Sequence, residues 1–305
     1  MASRLLVNLG CGQVWHPAWA NFDLAPADAA VRAFDATAPL PLANDSADAV
    51  YHAHLLEHLP RAQAQTLLGE CRRVLRPGGI LRVVVPDLEE LARRYLASRD
   101  SGDPLVREWA EIELLDQLTR NRTEGEMGDF LRTAPWREHP EIYARVGTEI
   151  AAAGGGRGSS VITKFSSDMG GTPMPRGMGV PPVGSDEPEQ NQRTAGGGRV
   201  SRPALRDRLA HKLAGLRFRL AAAFLNARER VALTDARFRL TGENHRWMYD
   251  RVSLAALLRT VGFADVAVVT ATTSRIAEFA ACHLDTAADG TERHPGSLYV
   301  EARKP

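Results

Sequence analysis

Cysteine is nearly missing from this chain: three residues in 305, at Cys11, Cys71 and Cys282, odd in number and far apart. A disulfide scaffold and a paired-cysteine metal knuckle are excluded, and a reducing cytoplasm is the expected location. Long apolar runs are missing too. No stretch approaches the roughly 20 residues of a spanning helix, and residues 1–9 lack the apolar core of a secretory signal. Charge of one sign is also absent. Lys and Arg number 38 against 37 Asp and Glu, a formal net charge of +1. No global field therefore argues for nucleic acid, and no aromatic–basic nucleic-acid module is present. The length suits one large α/β domain with additions.

A third glycine is the next absence. Residues 7–12 read Val-Asn-Leu-Gly-Cys-Gly, an apolar strand ending in two glycines one residue apart, and Asn21-Phe22-Asp23 follows. In a doubly wound α/β sheet this arrangement marks a nucleoside-bearing cofactor. Glycine lets the backbone approach the ligand, and the acid binds ribose hydroxyls. A dinucleotide loop requires G-x-G-x-x-G, but Trp15 stands at the third position. No Gly-Lys-Ser/Thr follows, which excludes a P-loop. A cofactor with a ribose and no phosphate to cradle remains, and S-adenosylmethionine fits.

Further along, Asp48-Ala49-Val50-Tyr51 reads as a buried strand, followed by His54, Glu57-His58-Leu59, and then Arg73-Val74-Leu75-Arg76-Pro77-Gly78-Gly79 as a helix closed by a turn. Ile80 to Pro86 is a further buried strand rich in β-branched residues. With these segments in place the chain resembles the class I S-adenosylmethionine-dependent methyltransferases, and more closely the type 11 branch with its L-G-C-G … N-x-D … E-H-L … R-V-L-x-P-G-G pattern. The resemblance covers residues 5–90 and resumes at 245–263 and 297–301. The closing part is similar to methyltransferases associated with surface-polysaccharide pathways.

The resemblance implies a doubly wound, Rossmann-like seven-stranded methyltransferase sheet with a helical insertion between the fifth and sixth strands, and an antiparallel last strand. Strands are expected near 5–9, 19–23, 48–53, 80–85, 265–270 and 297–302. Helices are expected near 60–75, 87–97 and 252–261. Five regions follow: 1–98, the N-terminal part of the cofactor domain; 99–153, a helical insertion with an apolar stripe of Trp109, Ile112, Leu115 and Leu118; 154–203; 204–240; and 241–305, the C-terminal part of the cofactor domain. Twelve of the 26 glycines lie between 151 and 200, so 154–203 is expected to be a flexible linker. The stretch 204–240 is basic and amphipathic, and 204–232 is a candidate for peripheral membrane contact.

The cofactor set implied by the resemblance is Asn8, Gly10, Cys11, Gly12, Asp23, Leu24, Asp35, Ala36 and His54. Asp23 takes the ribose, and Asp35-Ala36 the adenine. Many class I enzymes carry an acid where Asn8 stands. Only ten residues separate Gly12 from Asp23, which leaves little room for a crossover helix. Trp15, His16, Pro17 and Trp19 are expected to form an irregular wall instead.

His54, Glu57 and His58 stand at i, i+3 and i+4, on one face if helical. Three readings stay open. One residue is a general base, histidine suiting neutral pH. Alternatively the trio binds a metal with His245 as a fourth ligand, similar to the Glu-x-x-Glu-His motif of small-RNA and quinone methyltransferases. Or Glu57 and His58 brace the cofactor loop. The assignment carries no metal, and the catalytic candidates are His54, His58, His245 and Tyr249. Arg246 or Arg275 is a candidate for holding an anionic acceptor group, while Trp247 and Met248 read as core and Asp250 as a helix cap. The expected activity is methylation of a hydroxyl on a glycan or other small molecule. The alternatives are a cofactor-binding partner without turnover and a metal-assisted enzyme acting on RNA or a small molecule.

Overall fold

The computed structural model describes residues 4–133, 135–146 and 224–305. Seven strands form one sheet: β1 (Leu6–Leu9), β2 (Ala20–Asp23), β3 (Val31–Ala33), β4 (Ala47–Ala53), β5 (Leu75–Pro86), β6 (Ala264–Val269) and β7 (Ser297–Arg303). Their order is β3-β2-β1-β4-β5-β7-β6. The first five run parallel, and β7 lies antiparallel between β5 and β6. The sheet is seven-stranded and α/β, and the helices α2 (Leu88–Ser98), α3 (Pro104–Thr119), α4 (Gly125–Thr133) and α5 (Pro140–Val146) fall between the fifth and sixth strands.

The pleat decides which face each residue serves. Val7, Leu9, Val50, Leu81, Val83, Val85, Leu298 and Val300 pack with Ala64, Leu67, Leu68, Cys71 and Val74 of α1 (Arg61–Val74), and with Leu254 and Leu258 of the C-terminal helix Arg251–Val261. That helix starts at a capping box: Asp250 accepts from Val252 N at 2.9 Å and Ser253 N at 2.7 Å. Gly262, left-handed at φ 97°, ends it.

Among the described residues, no α-helix contributes to the cluster on the opposite face. Leu6, Ala49, Tyr51, Val84 and Tyr299 pack against Trp19 and against Ala271, Ile276, Phe279 and Leu284 from the β6–β7 connection. Arg82, fully buried on this face, ties the connection down. Four hydrogen bonds hold it: Nε donates to Asp285 at 2.7 Å, Nη1 to Glu301 and the Thr273 carbonyl at 2.9 Å each, and Nη2 to the Thr270 carbonyl at 2.8 Å, with Nη2 also in an ion pair with Asp285 at 2.6 Å. Tyr51 donates to the other Asp285 oxygen at 2.6 Å.

Several expectations change here. The three-residue strand β3 carries one buried residue, too little pattern to read from sequence. Pro77-Gly78-Gly79 does not end α1. The helix stops at Val74 and the chain enters β5 at once, with Gly78 left-handed at φ 80°. The stripe on α3 is half realised: Trp109 and Ile112 join a cluster with Met127, Phe130, Trp136 and Ile142, whereas Leu115 and Leu118 are exposed. Helix α6 (Ala227–Arg239) begins within the 175–236 unit of the chain. The Gly/Pro-rich stretch 154–203 and most of the basic stretch 204–232 lie outside the described residues. No helix among the described residues is long and apolar enough to cross a membrane.

Candidate functional site

The strand order reverses direction between β1 and β4, and a cleft lies at the carboxyl ends of those two strands, the place where open α/β sheets take ligands. Asn8, Gly10, Cys11, Gly12, Gln13, Val14, Tyr51, Ala53, Leu284 and His294 line it. Residues 10–19 contain no helix. Gly10 and Gly12 are left-handed, at φ 63° and 52°. A methyl group on Gly10 would also press on the Leu55 side chain at 3.2 Å. Both positions therefore favour glycine.

Asp23 holds this loop. Its buried carboxylate accepts from Gly12 N at 2.8 Å and from Ala25 N at 2.9 Å, while its carbonyl accepts from Phe34 N at 2.8 Å. Each carboxylate oxygen can still accept from a hydroxyl. Asn8 donates through Nδ2 to Asn21 Oδ1 at 3.1 Å and to the Val14 carbonyl at 3.3 Å, so its amide braces the same loop. Burial pushes the Cys11 thiol up to about 12, with the Asp23 charge adding to it, so no thiolate forms there at neutral pH. Leu24 is half-buried beside Asp23. Asp35 is exposed and caps its own turn, accepting from Thr37 N at 2.8 Å and Thr37 Oγ1 at 2.7 Å, and Ala36 packs on the core.

The irregular wall is made by other residues than expected. Gln13 and Val14 line the cleft, whereas Trp19 turns into the core, edge-on to Tyr51 and Phe279, with ring centroids 6.0 and 5.8 Å away. Its indole found a better environment there than over a polar cleft, with Nε1 donating to Cys282 Sγ at 3.3 Å.

The single helical face of His54, Glu57 and His58 is not formed. His54 is left-handed at φ 49°, and only Leu56–His58 makes a helical turn. The His54 ring therefore swings toward the end of β7, with Nε2 3.1 Å from Ser297 Oγ and its centroid 4.3 Å from that of His294. Nδ1 lies 3.1 Å from Glu57 Oε1 but outside hydrogen-bond geometry. Burial lowers His54 to about 4 and takes His294 well below its ordinary value, so both imidazoles are neutral at neutral pH.

Glu57 is wholly buried, and burial raises its carboxyl to about 7. Its carbonyl accepts from Arg246 N at 2.6 Å and Trp247 N at 3.2 Å. His245 N donates to the Gln117 carbonyl at 2.9 Å, and Asn244 Nδ2 to the Arg120 carbonyl at 2.8 Å. The 244–247 segment is thus pinned between the Leu56–His58 turn and α3, which brings the His245 ring to 4.9 Å from His58. Burial takes His245 well below its usual value, and burial followed by the Glu57 charge raises Tyr249 to about 12. Among the described residues, His245 Nε2, the Tyr249 hydroxyl and both Glu57 carboxylate oxygens are buried without a hydrogen-bond partner. His54, His58, His245 and Tyr249, scattered in sequence, converge around Glu57.

Two further residues sit differently from expectation. Of the two arginines expected to hold an anionic group, Arg275 spends Nε on Glu301 at 3.1 Å and Nη1 on the Asp265 carbonyl at 3.0 Å. Trp247 is 40% exposed, its ring 4.6 Å beneath the Arg61 guanidinium; Met248 is buried as expected. Sequence reasoning missed His294. Its signal was weak: a histidine before Pro295-Gly296, at the turn into the last strand.

Residues 8–83 match the family model described as Methyltransferase domain, a span that includes the glycine loop, Asp23 and the His54–His58 turn. That match supports S-adenosylmethionine as the cofactor. No curated protein matches the chain. Among solved structures, the chain is similar to an S-adenosylmethionine-dependent methyltransferase from Mesorhizobium loti, with 21% identity over 29% of this chain and 49% of that one, and a TM-score of 0.24. It is also similar to CalS10, a SAM-bound amino pentose methyltransferase from Micromonospora echinaspora, with 22% identity over 28% of this chain and 50% of that one, and a TM-score of 0.22. The chain thus spans about half the length of those structures, and the likeness identifies no acceptor.

Proposed function

We propose that this chain is an S-adenosylmethionine-dependent methyltransferase acting on a hydroxyl of a glycan or other small molecule. The observation that carries the reading is the glycine loop at the β1/β4 reversal, pinned by Asp23 to the end of β2. Gly10, Gly12 and Asn8 would receive the methionine and ribose portions, Asp23 the ribose hydroxyls, and Leu24, Asp35 and Ala36 the adenine side. Cys11, as a neutral thiol, contributes shape alone.

Methyl transfer from a sulfonium starts with an activated leaving group. The protein must align the acceptor with the methyl and take its proton. His54 sits between His294 of the cleft wall and Glu57, and as a neutral imidazole it can accept that proton. His58, His245 and Tyr249 would face the acceptor from the same end of the sheet. The cytoplasm is the compartment that the scarce cysteines favour.

A second reading, a cofactor-binding partner without turnover, is favoured by Asn8, whose amide is spent on Asn21 and Val14. Calorimetry with S-adenosylmethionine and S-adenosylhomocysteine tests both, and binding of each is expected. Absence of binding to either ligand sinks both readings. Homocysteine-product release against a panel of glycans and small hydroxylated acceptors separates the enzyme from the partner.

A further inference from the structure

Glu57, His58 and His245 each present one donor atom, and the three atoms lie within 4.8 Å of one another. Two of the three side chains are enclosed. Glu57 is 0% exposed and His245 4% exposed, and His245 Nε2 and both Glu57 oxygens lack a hydrogen-bond partner among the described residues. A buried polar atom without a partner bears its full desolvation penalty, and a charged group bears more. A fold that gathers the Glu57 carboxylate and the His245 imidazole in one place leaves that cost standing unless something binds there. The surrounding packing fixes the arrangement: the Glu57 carbonyl holds the 246–247 backbone, and the Gln117 carbonyl holds His245 N.

We propose that Glu57, His58 and His245 bind a single divalent transition-metal cation. Two imidazoles and one carboxylate suit a borderline cation such as Zn2+ or Co2+ and give no reason to select Mg2+ or Ca2+, which take oxygen shells. Tetrahedral zinc at about 2.0–2.1 Å from its ligands places them roughly 3.3 Å apart. The cluster must therefore contract when a cation binds, and His58 is its half-buried member. Three protein ligands leave a coordination position open. Two further groups interact with Glu57: Tyr249, whose buried hydroxyl has no hydrogen-bond partner among the described residues, and His54, 3.1 Å away. On the methyltransferase reading, on which this role alone rests, the open position would hold the acceptor oxygen and make its proton easier to remove.

The test uses the full chain, stripped with a chelator. Co2+ is titrated with visible absorption as the readout, and Zn2+ is titrated by competition against a chromophoric chelator. The expected result is one equivalent of Co2+ with ligand-field bands of a low-symmetry site, displaced by Zn2+. Glu57→Gln and His58→Ala are each expected to lower Zn2+ affinity at least tenfold, whereas His283→Ala, an exposed histidine elsewhere, leaves it unchanged. His58 is half-buried, so its variant remains informative if Glu57→Gln does not fold. No equimolar binding by the wild-type chain, or unchanged affinity in the two ligand variants, overturns the site. S-adenosylhomocysteine calorimetry on the same samples keeps the two ideas apart. Cofactor binding without metal binding overturns the site alone. Metal binding without cofactor binding upholds the site and overturns the methyltransferase reading.

Discussion

The Asp23 carboxylate spends one hydrogen bond on Gly12 N and one on Ala25 N, and each oxygen retains capacity for a ribose hydroxyl. Loop brace and ligand contact are therefore separable by substitution. Asp23→Ala removes both, and a charge-assisted hydrogen bond contributes about 1.5–3 kcal/mol. The variant is expected to melt lower and to bind S-adenosylhomocysteine at least tenfold more weakly. Asp23→Asn keeps the shape and one acceptor oxygen. If ribose contact is the main role, Asn should recover most of the melting temperature while affinity stays low, and parallel recovery of both would assign Asp23 to the loop alone. Gly10 makes a separate case. Alanine at φ 63° costs roughly 1–2 kcal/mol for a left-handed residue and meets Leu55 at 3.2 Å. Denaturant unfolding of Gly10→Ala should show that loss, and an unchanged midpoint would mean that the loop relaxes freely.

At the scale of elements, the β6–β7 connection does for one sheet face what helices do for the other, and Arg82 is the reason it can. Arg82→Leu would leave Asp285 and Glu301 buried without their main cation, a change that typically costs about 3–5 kcal/mol. The triple variant Arg82→Leu, Asp285→Asn, Glu301→Gln removes the stranded charges and should recover part of the loss. A triple variant no more stable than Arg82→Leu would show that the cost lies in packing against Phe279 and Tyr299 rather than in charge. This network also shows where sequence reading stops. The strands other than β3 were legible because β-branched runs and the Gly10–Gly12 signal are local, whereas Pro77–Gly79, expected to close a helix, lies inside β5. Arg82 reads as a lone charge in an apolar strand, and its partners lie about 190 to 220 residues away. The site divides the same way. The glycine loop and Asp23 are local to one β–loop–β unit. The approach of His245 to Glu57 depends on the Gln117 and Glu57 carbonyls holding a distant loop, and the left-handed turn at His54 cannot be read from a histidine's identity.

For the molecule as a whole, buried neutral histidine sets the acid limit of stability. His52 lies in β4, wholly buried among apolar neighbours, and neither ring nitrogen has a hydrogen-bond partner among the described residues. Burial lowers it to about 4. An unfolded chain protonates the same imidazole near pH 6.5. Between those values the unfolded state binds more protons than the folded one, so stability falls as pH drops through that window. Above it, the contribution of a neutral His52 is complete. The loss from this residue is about 2 kcal/mol at pH 5 and approaches roughly 3 kcal/mol at pH 4. His294 acts in the same direction, since burial also takes it well below its usual value. His52→Leu fills the same core space with no proton to lose and no stranded nitrogen. It should melt at or above the wild-type temperature at neutral pH. Near pH 5 its advantage should widen by several degrees, since about 2–4 °C accompanies each kcal/mol in a chain approaching this size. Circular-dichroism melts of both proteins at the two pH values measure the difference. An equal drop for the two proteins on acidification would show that His52 takes up no extra proton on unfolding, and would move the acid limit to the carboxylates.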